Sequence, residues 1–395
     1  MTGVPGRTSP VCPLARLNAK PLALSFWMIQ CERVWIDGIR VRALHSPNND
    51  GMTIDGSREV YVSNVNIHSV DDCIGLKSSD PGHPVSDVVI TNSILSSRCA
   101  AIRIGPDAAA DIENVTVSNC VIRDTGLGGI KIQQAMGTTM RNMTFSNIVM
   151  DNVKAPVSIR SAGWNEGLYV GLWQKFDDAR WEQGRLQNIL FNNIVATVPV
   201  LIAPSERLAD SPASWLNLTS LNLGISITGT ERTRPEGITF SNVDITFAGG
   251  GSAAEGARRN LPDLAREYPE VYMFGALPAY GLYMHHASGI VLDNVRFRLR
   301  QPDLRPAIVA DDVDELELSG FKAAGSREAE SLIRLENSRA VTIDRTRPLN
   351  PVATFLRVEG ANSSDIRVSA PPAGLETELW HAASAAPADA VTVVR

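Results

Sequence analysis

Three carboxylates lie close together in the chain: Asp50, then the adjacent pair Asp71 and Asp72. Like charges held near one another resist joint ionisation, so a crowded carboxyl keeps its proton to a higher pH. A protonated carboxyl beside an ionised one can cleave a glycosidic bond: one protonates the leaving oxygen while the other activates water. A solvated acidic turn or a cation-binding turn would use the same residues. A second set is basic or amide-bearing: Lys77, Arg103, Lys131, Gln133 and Arg160, with Asn48 beside the first carboxylate. These groups suit the binding of a polar, anionic ligand.

Whether they meet depends on the elements that carry them, and those elements repeat. An apolar–x–apolar triplet, one further residue and then Asn recurs in Val60-Tyr61-Val62-Ser63-Asn64, Val88-Val89-Ile90-Thr91-Asn92, Val115-Thr116-Val117-Ser118-Asn119 and Met143-Thr144-Phe145-Ser146-Asn147. Further copies start at Val34, Ile189, Ile238 and Ile290, and copies without Asn near Leu316, Val341, Ile366 and Val391. A period of 25–28 residues is that of a solenoid. Period-two alternation makes each short stretch a strand with one face inward. The Asn suits a tight turn in the left-handed conformation. The repeat predicts an all-β parallel helix of eleven or twelve coils, with Asn64, Asn92, Asn119 and Asn147 in one internal ladder. Leucine-rich repeats are excluded, since the LxxLxL pattern and helical half are missing.

Aligning coils by their Asn sets the candidate residues in register. Asp50-Gly51-Met52-Thr53-Ile54-Asp55, Asp72-Cys73-Ile74-Gly75-Leu76-Lys77, Ala100-Ala101-Ile102-Arg103-Ile104-Gly105, Gly128-Gly129-Ile130-Lys131-Ile132-Gln133 and Ala155-Pro156-Val157-Ser158-Ile159-Arg160 form successive rungs. Their third and fifth columns are apolar and face the core, so the fourth and sixth point outward. Asp50 then stacks on Asp72, with neighbouring coils roughly 4.8 Å apart. Arg103 and Lys131 become like charges on adjacent rungs. They repel unless an anion lies between them; a uronate carboxylate would suit, as would neutralisation by Asp107, Asp55 or solvent.

Residues 25–395 are expected to be this solenoid, preceded by an irregular or shortened segment over 1–24, with Trp27 and Met28 as possible parts of a cap. Three intervals are longer, through insertions at 161–185, 205–232 and 247–284. These carry Trp164, Trp173, Trp181, Trp215, Tyr268 and Tyr272, which either pack within the loops or stack on sugars at a cleft rim. A formal net charge of −6 argues against general nucleic-acid binding. No apolar run is long enough to span a membrane, and the start lacks the apolar core of a secretory signal. The five cysteines, Cys12, Cys31, Cys73, Cys99 and Cys120, show no metal-ligand spacing. Cys73 and Cys99 could pair or remain buried thiols. No metal and no cofactor is expected.

The motifs resemble glycoside hydrolase family twenty-eight, the polygalacturonases and their relatives. Asn48-Asn49-Asp50-Gly51 looks like that family's NTDG motif, Val70 through Ser78 is similar to its GDDCIAIKS segment, and Gly129 through Val153 resembles the region around its RIK motif. The resemblance implies a right-handed, pectin-lyase-like β-helix acting alone as a monomer on a pectic polysaccharide or oligosaccharide. It implies an inverting mechanism with Asp71 as general acid and Asp50 and Asp72 positioning and activating water. It also implies an extracellular or periplasmic location. Two motifs depart from the pattern. GHG falls on Cys99-Ala100-Ala101, without its histidine, and RIK falls on Lys131-Ile132-Gln133. Lys cannot reproduce a bidentate Arg contact, although Arg103 one coil earlier could supply it. These changes favour a divergent specificity, such as rhamnogalacturonan or a branched pectic oligosaccharide. A catalytically inactive carbohydrate-binding β-helix and a polysaccharide lyase are the alternatives.

Overall fold

A computed structural model describes residues 25–163, 180–199, 223–369, 377–383 and 385–394. The expected irregular segment 1–24 lies outside them, as do 164–179 and 200–222 of the expected loops, with Trp164, Trp173 and Trp215. The described strands pair only in parallel and wind into a right-handed β-helix; second-ladder strands such as Val85–Thr91 alternate in burial, whereas first-ladder strands such as Met52–Asp55 and Gly128–Gln134 are buried throughout. Eleven successive pairings run from Trp27–Ile29 through Met52–Asp55, Ile74–Ser78, Ala100–Ala108, Gly128–Gln134, Val157–Ser161 and Ile225–Thr228 to Glu378–Ala382. That first ladder thus has twelve rungs among the described residues. Two further ladders complete each coil, as in Arg58–Ser63 with Asn66–Ser69. Trp27 and Met28 belong to the first rung, opposite Thr53 and Ile54.

The inward columns stack like on like. Met52, Ile74, Ile102, Ile130 and Val157 follow one another in register, each buried. Lower in the core, Phe145, Phe191 and Phe240 stack with centroids 4.9 and 4.7 Å apart. Such stacking of flat rings and branched chains fixes the register of every coil, because a one-residue slip would send each inward column to the surface.

Asn64, Asn92, Asn119 and Asn147 do form a column, all with φ between 52 and 55°. Asn119 Nδ2 donates to Asn92 Oδ1 at 3.4 Å and Asn147 Nδ2 to Asn119 Oδ1 at 3.1 Å. The ladder is exposed, not internal. The left-handed corner turns each Asn outward, and the following residue, Val65, Ser93, Cys120 or Ile148, enters the core. A second left-handed column, Asp87, Asn114, Asn142 and Asn188, is linked in the same way at the start of the second ladder. Asn147→Ala should cost about 1–2 kcal/mol from the left-handed backbone alone, whereas Asn147→Gly should cost less; urea denaturation of the two variants checks this.

The four described cysteines are free thiols, so Cys73 and Cys99 do not pair. The insertion after Phe247 crosses back over the outward face of the first ladder. There Gly163 N donates to Ala265 O at 2.6 Å, joining insertions from the two edges of that face. This wall lies beside the acidic residues.

Candidate functional site

The register places Asp50 and Asp72 at the same strand entrance on consecutive coils: Met52 pairs with Ile74, and Gly51 N donates to Asp72 O at 2.9 Å. Gly51 is required for this approach, since a Cβ there would lie 2.4 Å from Ile67 Cγ2 and 2.6 Å from Cys73 O. The Asp71 carbonyl accepts from Ser69 Oγ at 2.6 Å and Ser97 Oγ at 2.5 Å, which fixes the bend before Asp72. Asp50 and Asp72 are buried, and Asp71 is half-buried.

Burial first, then the neighbouring Asp72 charge, against the opposing pull of Arg103, push the Asp71 carboxyl up to about 6. Burial first, then Asp71 and Asp72, also raise Asp50 well above the carboxylate range. Interacting carboxyls titrate as a group. Asp50 and Asp71 therefore hold a proton into the weakly acidic range, and Asp71 is the more accessible of the two. Asp50 Oδ2 accepts from Thr53 Oγ1 at 3.3 Å and lies 3.9 Å from Lys77 Nζ, which is 3.6 Å from Asp107. Asp72 Oδ2 accepts from Arg103 Nη1 at 3.4 Å, while its buried Oδ1 has no hydrogen bond among the described residues. A water or sugar hydroxyl would satisfy that acceptor.

Cys99 stands where the resemblance calls for the first residue of GHG. Ligand atoms of Cys99, Asp71 and Asp72 lie within 4.8 Å of one another. Burial and the two carboxylates keep the Cys99 thiol protonated by raising it well above its usual range. Ala100, in place of the histidine, is fully buried and offers no polar side-chain group.

The basic columns point away from the solenoid core, but the insertion covers them. Glu270 provides the anion between Arg103 and Lys131: Lys131 Nζ donates to its Oε1 and Oε2 at 2.8 and 2.7 Å, and Arg103 Nη2 lies 3.1 Å from Oε1. Lys131 reaches Glu270 by folding over Gly128, where a Cβ would sit 2.7 Å from its Cε. Gln133 is fully buried, accepting from Arg103 Nε at 3.0 Å and donating to Pro269 O at 2.6 Å. Arg103 Nη2 donates to Tyr268 Oη at 2.5 Å. Arg160 is buried against the carbonyls of Gly229, Asp263 and Leu264 and over the Phe274 ring. Of the expected binding residues, Lys77 is partly accessible and Asn48, two residues before Asp50, is exposed. Tyr268 thus packs within the wall. Glu270 escaped the sequence reading; its one trace was the need for an anion between Arg103 and Lys131.

Comparisons with known proteins fit this geometry. Residues 7–198 match the profile of glycosyl hydrolases family 28. A polygalacturonase of Persea americana is 33% identical over 155 residues, 38% of this chain and 32% of that protein. A probable polygalacturonase of Arabidopsis thaliana is 33% identical over 182 residues, 42% of this chain and 36% of that protein. An exopolygalacturonase of Platanus acerifolia is 27% identical over 248 residues, 60% of each chain. The chain thus spans between about a third and three fifths of these curated relatives. A solved exopolygalacturonase from Thermotoga maritima aligns over 56% of this chain and 45% of that chain, with 18% identity and a TM-score of 0.42. No helix among the described residues is long and apolar enough to cross a membrane.

Proposed function

Because residues 7–198 match the profile of glycosyl hydrolases family 28, we propose that the chain is a divergent, polygalacturonase-like member of that family and hydrolyses α-glycosidic bonds in a pectic polysaccharide or oligosaccharide. The observation that carries this reading is the acidic trio, with a half-buried Asp71 whose carboxyl is pushed up to about 6. Asp71 protonates the leaving oxygen, and Asp50 and Asp72 position and activate the water on the opposite face, with inversion. The orphaned Asp72 Oδ1 is the acceptor for that water. Lys77 neutralises charge beside Asp50, and the exposed Asn48 is available to a sugar hydroxyl. The wall built from residues 263–274 closes the face on one side of the trio and supports cleavage near a chain end. We propose that the chain acts as a monomer in an extracellular or periplasmic location.

Glu270 bears on the sugar. With Arg103 and Lys131 both paired to it, the position beside Asp72 has little net positive charge for a uronate carboxylate. A neutral sugar, as in a rhamnogalacturonan, is favoured there. A second reading, a solenoid that binds carbohydrate without cleaving it, is favoured by Ala100 in the histidine's place. Ala100→His separates them: a modest gain in turnover marks a handicapped enzyme, and a silent variant of a silent protein supports the binder.

The pH profile tests the acid directly. The reaction needs a protonated Asp71 beside an ionised partner, so kcat should fall as pH rises through about 6 and fall again in strong acid, where the partner that activates water takes up a proton. A rate that instead climbs through that range would contradict Asp71 as proton donor.

A further inference from the structure

Five rungs beyond Asp72 on the same ladder, His285 and His286 lie within the strand Leu282–Leu299, at the corner where its pairing passes from the first ladder to the second. Neighbouring strand residues ordinarily point to opposite faces. His286 has φ +49° instead, and the two imidazoles emerge together with centroids 4.0 Å apart. Both Nε2 atoms lie 3.0 Å from one oxygen, Asp263 Oδ1, on the insertion. The other ring nitrogens face carboxylates from the next rung: His286 Nδ1 is 2.5 Å from Asp312 Oδ2, and His285 Nδ1 is 2.9 Å from Asp311 Oδ2.

A carboxylate only accepts, so an Nδ1 facing one carries the proton. In the neutral imidazoles this leaves two Nε2 lone pairs aimed at a third carboxylate oxygen. Three electron-rich atoms then converge, and a bound cation would take the place of the proton that either Nε2 can otherwise donate to Asp263 Oδ1. The charged groups around the cluster are the carboxylates of Asp263, Asp311, Asp312 and Asp314 and the guanidinium groups of Arg234, which pairs with Asp312 and Asp314, and Arg160, which bonds the Asp263 carbonyl. Four carboxylates against two guanidinium groups leave the neighbourhood negative by two, which suits a divalent cation. Histidine ligands whose second nitrogen is held by a carboxylate are the usual surroundings of bound zinc. Ligands at zinc distances stand roughly 3.3 Å apart in a tetrahedron, close to the 3.0 Å seen here.

We propose that Asp263, His285 and His286 form a divalent transition-metal site of the zinc class, which clamps the insertion onto the solenoid. The Asp263 side chain is a third exposed, leaving an open position for solvent. Because Asp263 also gives its carbonyl to Arg160, the ion would hold the wall that carries Tyr268 and Glu270. The sequence hint was a His-His tandem without the spacing of a known metal motif.

The test is a zinc titration of the chelator-treated full chain by calorimetry, with cobalt(II) absorption as a second probe. Wild-type protein should bind one equivalent of zinc, gain melting temperature and give a cobalt spectrum with nitrogen and oxygen ligands. Asp263→Asn and His286→Ala should each weaken binding at least roughly tenfold, by analogy with losses at supporting positions. Asp263→Asn sits on a partly exposed loop and keeps its hydrogen-bonding shape, so it separates lost binding from lost folding. Absence of saturable binding, or equal binding by both folded variants, would overturn the site. Neither outcome depends on whether the chain is a hydrolase.

Discussion

Asp71→Asn is expected to lower turnover on a cleaved pectic substrate by at least roughly 10²–10⁴-fold, the usual contribution of one acid–base group. The amide keeps the size and the bend held by Ser69 and Ser97 but has no proton to transfer. KM should change little if Asp71 acts mainly in the transition state. Asp50→Asn and Asp72→Asn should be comparably harmful, and double variants should lose much less than the product of the single losses, because the trio works as a unit. The measurement is kcat and KM for each variant at a weakly acidic pH. Wild-type kcat for Asp71→Asn would remove the trio from catalysis and reduce it to an acidic turn.

Glu270→Ala is expected to produce the largest loss of stability of any single surface-loop change. Glu270 is buried, and so are both of its cationic partners. Removing one partner of a buried ion pair costs about 3–5 kcal/mol, because the remaining charge is left uncompensated. Here Asp72 would still face Arg103, but Lys131 would lose its carboxylate. Combining Glu270→Ala with Lys131→Met should cost less than the sum of the single changes, since the two residues touch. A further result follows if the loop carboxylate stands where a sugar carboxylate could sit. Added galacturonate should raise the melting temperature of Glu270→Ala and leave the wild type nearly unmoved. A Glu270→Ala protein within about 0.5 kcal/mol of wild type, the range of ordinary surface substitutions, would show that the buried cluster does not hold the loop.

The repeat made the fold legible because each coil must bury the same columns. Met52, Ile74, Ile102 and Ile130 could be aligned from spacing alone, and that alignment put Asp50 over Asp72. The Asn column was legible as a stack but was placed on the wrong side. Period and residue type reveal a left-handed corner, whereas the direction of its side chain depends on how the chain leaves the turn. Outward-facing Arg103, Lys131 and Arg160 were readable as outward, but their cover was not. Glu270 is 139 residues from Lys131, and contacts made by a long insertion leave no period to follow. Asp263 meets His285 across the same insertion. Local pattern fixes the coils; long-range loop packing decides which outward residues remain available to a ligand.

The most direct measurement is product analysis after incubating wild type and Asp71→Asn with a panel of galacturonan and rhamnogalacturonan fragments. The account predicts that wild type releases reducing ends and short products from a chain end, without the ultraviolet absorbance of an unsaturated sugar, and that Asp71→Asn does not. An unsaturated product, equal release by the variant, or no release by wild type from any fragment would contradict it.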